Sequence, residues 1–185
     1  MSYLNKRFCA YCVQIFLIGG ICLGTSSLFS DQIRNPHLVV DTSGNQIAVW
    51  EVTASSGDSH IYASRKPVLG SWSTPVIISN TSTEQATNPQ IIVGPVGAVT
   101  VVWTYINLTE GIYSLATATY NGLSGWSSPA VLSTTNDDVI QDFELSINSL
   151  GKVVMIWGAY SVDTGNSHIW NSVLSTGSWS TTQIS

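Results

Sequence analysis

Two acid pairs, a matched pair of histidines and three matched tryptophans are the residues whose types and spacing could do chemistry. The acids are Asp137-Asp138 and Asp142/Glu144. A glycosidase works with two carboxylates facing each other across a cleft. Asp137-Asp138 falls in a linker rich in Thr, Ser and Asn, where solvated turn residues are the expectation. Asp142 and Glu144 open a strand-like run, at positions where two earlier copies of the phrase carry Asn35/His37 and Asn88/Gln90. His60 and His168 stand at matched positions of different repeats, which invites a metal, but the copy between them has no histidine there. Polar edge or packing roles are expected, and no metal site. Trp72, Trp126 and Trp179 recur in loops that enter an outer strand, and a sugar's apolar face can stack on an indole. They are the candidate ligand-binding residues; the plainer reading is that they fill space between packed elements.

Other signatures of enzymes are missing. There is no G-x-S-x-G elbow, no HExxH and no P-loop, and the cysteines at 9, 12 and 22 all precede residue 30. Cys9-x-x-Cys12 has redox spacing but lies in a membrane-directed stretch. The expectation is therefore no catalytic residue and no cofactor.

The elements that position these residues come from one recurring phrase. It reads Asn35-Pro36 to Trp50, returns as Asn88-Pro89 to Trp103, and appears more loosely as Asp142-Phe143 to Trp157. Gly44, Gly97 and Gly151 each precede the tryptophan by six residues, and the period is 53 or 54 residues. A fixed period in that range marks a repeat architecture. Each copy starts with a short apolar run (Leu38-Val39-Val40, Ile91-Ile92-Val93, Leu145-Ser146-Ile147). A turn follows, with Asp, Asn or Gly first and Gly fourth. That pattern suits a type I turn whose Gly takes positive φ.

The next strand is apolar without alternation, as in Val99-Thr100-Val101-Val102-Trp103, which predicts cover on both faces. A third strand is led by Ile61, Leu115 and Ile169. The fourth follows Trp72-Ser73-Thr-Pro75, Trp126-Ser127-Ser-Pro129 or Trp179-Ser180. Proline near its start suits an outermost edge strand, where a missing N–H costs least. Four short strands per period is the arithmetic of a propeller blade. The fold expected is all-β, a β-propeller with three four-stranded blades at 35–87, 88–141 and 142–185.

Residues 1–30 read differently. Lys6 and Arg7 precede the apolar run Phe8 to Gly24 and the small-residue end Thr25 to Ser30. That is the pattern of a secretory signal peptide. An uncut anchor and a lipidated Cys22 are the alternatives. All three export residues 31–185, so the protein is expected to be secreted, periplasmic or on the cell surface, and to meet a membrane only if the leader is uncleaved. Past the leader only Arg34, Arg65, Lys66 and Lys152 oppose eleven acids, a formal charge of −7. A chain so acidic, with no basic cluster, excludes nucleic acid as a partner.

The pattern Pro-x-φ-φ-φ-Asp-x-x-Gly-Asn-x-φ-φ-φ-Trp (φ apolar), followed by Ser-Trp-Ser-x-Pro, resembles repeats of exported bacterial proteins of the sialidase-like, or Asp-box, propeller type. The resemblance covers residues 35–185. It departs from an Asp box in that Asp41 stands three residues before Gly44 and the other copies lack the aspartate. Sialidases clamp the substrate carboxylate with three arginines beside a tyrosine nucleophile, and past the leader this chain has only Arg34 and Arg65. The resemblance thus implies the fold without that activity.

The function expected is an exported, non-catalytic binding or scaffold module. A carbohydrate-binding, lectin-like propeller is the first alternative, and a fragment of a glycoside-acting propeller enzyme the second. Partners expected are a glycan or protein at the cell surface, or a second copy closing a six-bladed ring, since propellers hold ~4–8 blades. Asn80-Thr-Ser82 and Asn107-Leu-Thr109 are glycosylation acceptors in a eukaryotic source only.

Overall fold

The computed structural model describes residues 30–80, 84–109, 111–132, 138–175 and 177–185. Residues 1–29, where the signal peptide is expected, with the cysteines at 9, 12 and 22, and Asp137 lie outside the described residues.

Among the described residues every regular element is a strand. The first sheet contains β1 (Gln32–Val40), β2 (Gln46–Thr53), β3 (Ser59–Lys66) and β4 (Val76–Ile77). The second contains β5 (Glu84–Val93), β6 (Val99–Asn107), β7 (Ile112–Asn121), β8 (Gly125–Trp126) and β9 (Ala130–Val131). The third contains β10 (Asp138–Ile147), β11 (Val153–Ser161), β12 (Ser167–Ser175) and β13 (Ser178–Gln183). Strands follow chain order within each sheet, all antiparallel, and β8 and β9 both pair with β7 as two halves of one outer strand. The interruption falls at Ser127–Pro129, as it does before Val76 in the first sheet, because proline cannot donate to the ladder. The third copy has Thr181 and Thr182 in place of the proline pattern, and its outer strand runs unbroken.

Local chemistry sets the hairpins between first and second strands. Gly44, Gly97 and Gly151 hold φ of 83°, 79° and 81°, and their N–H groups donate to the carbonyls of Asp41, Gly94 and Asn148 at 2.9, 3.0 and 3.0 Å. Only glycine takes that left-handed conformation without a Cβ penalty. Asp41 reinforces its turn by accepting the backbone N–H groups of Ser43 and Asn45, each at 2.9 Å. Asn148 does the same for Leu150 and Lys152.

The first strands are longer than the three-residue runs expected. In each sheet the register slips by one residue, between Arg34 and His37, Thr87 and Gln90, and Ile140 and Asp142. Asn35 and Asn88 sit in these bulges with φ of 48° and 52°. Asparagine tolerates the left-handed region, and a bulge excuses the following proline from the ladder. Pairing therefore resumes beyond the Asn-Pro phrase instead of ending at it.

The sheets stack face to face. Ile47, Val49, Ile61 and Ala63 of the first pack against Val99, Val101, Trp103 and Ala118 of the second. Val102 and Leu115, on the second sheet's other face, pack against Phe143, Met155 and Trp157 of the third. Thus β6 is covered on both sides, as its unbroken apolar run predicts. β2 and β11 are buried on alternate residues only, since a described sheet covers just one side of each. The first strands lie side by side through the stack, β1 along β5 and β5 along β10.

Candidate functional site

Asp142 and Glu144 project from one face of β10, opposite Gly158 and Ile156 of β11. With Phe143, Trp157 and Ile169 they border a hollow of about 220 Å³. Asp142 Oδ1 accepts the N–H of Phe143 at 2.8 Å. Two residues apart on a strand, the carboxylates stand side by side, about 6.6 Å apart at their Cα atoms. They do not face each other across a cleft. The matched positions in the other sheets make structural bonds: Asn35 Nδ2 donates within the first sheet to Glu51 Oε2 at 3.1 Å, and Gln90 Nε2 donates across sheets to the Phe143 carbonyl at 2.6 Å.

Glu51 is a residue the sequence reading missed. It is 4% exposed, at the interface of the first two sheets. Besides Asn35, it receives the backbone N–H of Asn88 at 3.1 Å, and Thr53 Oγ1 donates to its other oxygen at 3.4 Å. A buried carboxylate persists only where donors replace its water, and here the donors come from two sheets. The available signal was a charged residue one place after the repeat tryptophan, where the other copies have Thr104 and Gly158.

A second concavity, of about 370 Å³, runs between the first two sheets and is lined by Arg65, Ser71, Ser73, Val76, Tyr120 and Trp126, among others. The Arg65 guanidinium lies 6.0 Å from the Tyr120 ring centre, at the limit of a cation–π contact. Trp126 packs on Tyr120 at 5.3 Å with its plane tilted by 55°. Sequence matching alone did not connect Arg65 or Tyr120 with Trp126. An arginine beside two aromatic rings can donate to hydroxyl or carboxylate oxygens while the rings take a C–H face. Arg65 also bears on Asp41. Burial raises the pKa of that carboxyl, but the Asn45 side-chain amide, the Asn45 and Ser43 N–H groups and the Arg65 charge outweigh it and hold it below its ordinary value.

The other two matched tryptophans have different surroundings. Trp72 precedes β4 and is 46% exposed; Trp179, in β13, packs against the core between the second and third sheets. The histidines stay apart, His60 on β3 and His168 on β12, with the second sheet between their sheets. His60 Nδ1 is buried without a partner, and His168 Nδ1 lies 3.0 Å from Gln183 Nε2. Among the described residues no three His, Cys, Asp or Glu side chains gather as metal ligands.

No family model and no curated protein matches the sequence. Solved structures do match. A Hadza microbial sialidase shares 16% identity at a TM-score of 0.61, over 80% of this chain and 36% of that one. An endo-arabinase from Bacteroides thetaiotaomicron shares 18% identity at a TM-score of 0.50, over 79% of this chain and 58% of that one. The fold is thus sialidase-like and propeller-like, and the chain spans about a third to just over half of those proteins.

This corrects the expected function. The non-catalytic binding or scaffold module, and the exclusion of enzymes with it, is overturned because the two solved proteins named above, which share these stacked sheets, are a sialidase and an endo-arabinase. The findings favour the second alternative, a portion of a glycoside-acting enzyme. The arginine count stands for this chain, which spans about a third to just over half of those two proteins.

Proposed function

We propose that this chain forms three blades of a glycoside-acting β-propeller and contributes part of a sugar-contacting surface. The observation that carries this reading is the likeness of the stack to two hydrolases that act on different glycosides, a sialidase and an endo-arabinase. The residues assigned to sugar contact are Arg65, Tyr120 and Trp126, in the groove between the first two blades. The rings offer a stacking platform, and Arg65 and the Ser71 hydroxyl offer hydrogen bonds. The protein is exported, in keeping with its leader. The test is release of sugar by the purified chain from a panel of aryl glycosides, sialyllactose and arabinan. Turnover of at least one substrate, with KM raised by Arg65→Ala, is expected; no turnover on any of them sinks the reading.

A further inference from the structure

The two outermost faces of the stack are of the same kinds that pack against each other inside it. Val49 and Ile61 on the first sheet meet the second, and Val102 and Leu115 on the second meet the third; all four are completely buried. The same positions on the third sheet are Ile156 and Ile169, 47% and 39% exposed. On the opposite faces, Trp103 and Trp157 are buried against the preceding sheet. Their counterpart Trp50 is only partly buried, on the free side of the first sheet with Leu38 and Val40 (55% and 54% exposed). Trp50 stacks on Tyr62 at 6.3 Å as Trp157 stacks on Trp170 at 5.5 Å, and the Trp157 pair is the one that covers the second sheet.

We propose that a second copy of the chain covers both faces, the first sheet of each copy stacking on the third sheet of the other. This contact continues the two interfaces already inside the chain, with one face of each type left over at either end. Three described sheets in each of two copies give six. That number lies within the ~4–8 blades that propeller rings hold. A repeated head-to-tail contact that closes makes a ring.

The hollow on the third sheet fits the same arrangement. In the first interface, the Glu51 carboxylate takes the N–H of Asn88 from the incoming sheet. The third sheet has Gly158 at that position, with the hollow over it and Asp142 and Glu144 at its edge. Asn35 of an incoming first sheet has the conformation of Asn88, φ 48° against 52°, and so presents its N–H the same way. An acid from β10 then accepts it in place of one from β11. The acid pair is a clamp between copies.

This inference rests on the stack and not on the glycoside reading. Light scattering on the full chain is expected to give the mass of two copies. Ile156→Glu and Leu38→Lys, one on each free face, are each expected to weaken self-association by at least ~100-fold, since a charge is left buried at an apolar contact. Both positions are exposed in the single chain, so circular dichroism of each variant should match the parent. Ile169→Lys and Val40→Glu serve if either first choice misfolds. Mixing the two variants is expected to restore a pair held by the one junction that carries neither change. A parent that stays monomeric, or that aggregates without a defined mass, overturns the proposal. So does a pair that Ile156→Glu breaks and Leu38→Lys does not. A monomer that releases sugar overturns this inference alone, whereas an inactive dimer supports it and counts only against the glycoside reading.

Discussion

Glu51 and Asn88 stand 37 residues apart in the chain and meet across two sheets, the Asn88 N–H donating to Glu51 Oε2 at 3.1 Å. The same oxygen holds Asn35 Nδ2 of its own sheet. One buried carboxylate therefore ties a bulge in the first sheet to the matching bulge in the second.

Glu51→Ala is expected to destabilise the fold by about 3 kcal/mol, because it leaves the part-buried Asn88 N–H without this acceptor as well as removing charge-assisted bonds. Glu51→Gln keeps a carbonyl acceptor and should cost about half as much. Urea unfolding measures both, and equal midpoints for the two variants would exclude the clamp.

Gly44→Ala tests the hairpin. The position holds φ of 83°, and a Cβ there would lie 3.1 Å from Val68 Cγ2. A left-handed backbone costs an alanine about 1–2 kcal/mol, and Val68 must shift besides. Gly122 has open space around it and no left-handed φ, so Gly122→Ala is the control and should leave the thermal midpoint nearly unchanged.

What was legible in the sequence was local or periodic. Gly44, Gly97 and Gly151 announce their turns because turn chemistry lies within four residues. Val99 to Trp103 announces a doubly covered strand because Val99, Val101, Val102 and Trp103 place apolar bulk on both faces, with Thr100 the one hydroxyl in the run. Pro129 marks the broken outer strand for the same local reason. Glu51 was not legible, since its donors come from Asn35 on a neighbouring strand and Asn88 in the next sheet. Nor was the contrast between Trp72, Trp126 and Trp179. Their local sequences match, but their environments depend on what the adjoining sheet presents. Tyr120 faces Trp126, while Trp179 packs into the core between the second and third sheets.

The tryptophans should respond unequally to truncation. Trp126→Ala removes a ring packed on Tyr120 and on the core between the first two sheets, and is expected to cost about 3 kcal/mol. Trp72→Ala, at a half-exposed site, should cost under about 1 kcal/mol. Chemical unfolding of both variants reads the difference directly, and similar losses would mean that their matched sequence positions do equivalent structural work.

Acid should weaken the fold in part through Asp41. Its folded pKa is depressed: burial opposes the charge, but the Asn45 amide, the two backbone N–H donors and Arg65 together favour it more strongly. A depressed carboxylate pKa contributes stability above the unfolded value of about 3.9, and that contribution fades as pH falls through the folded value. Asp41→Asn removes the titrating group and keeps a side-chain oxygen for Ser43 and Asn45. The parent should therefore exceed the variant in thermal midpoint at pH 6, and the gap should narrow steadily below about pH 4. A gap that stays constant from pH 6 down to pH 2.5 would assign the variant's loss to geometry alone and leave the Asp41 charge without a part in holding the hairpin.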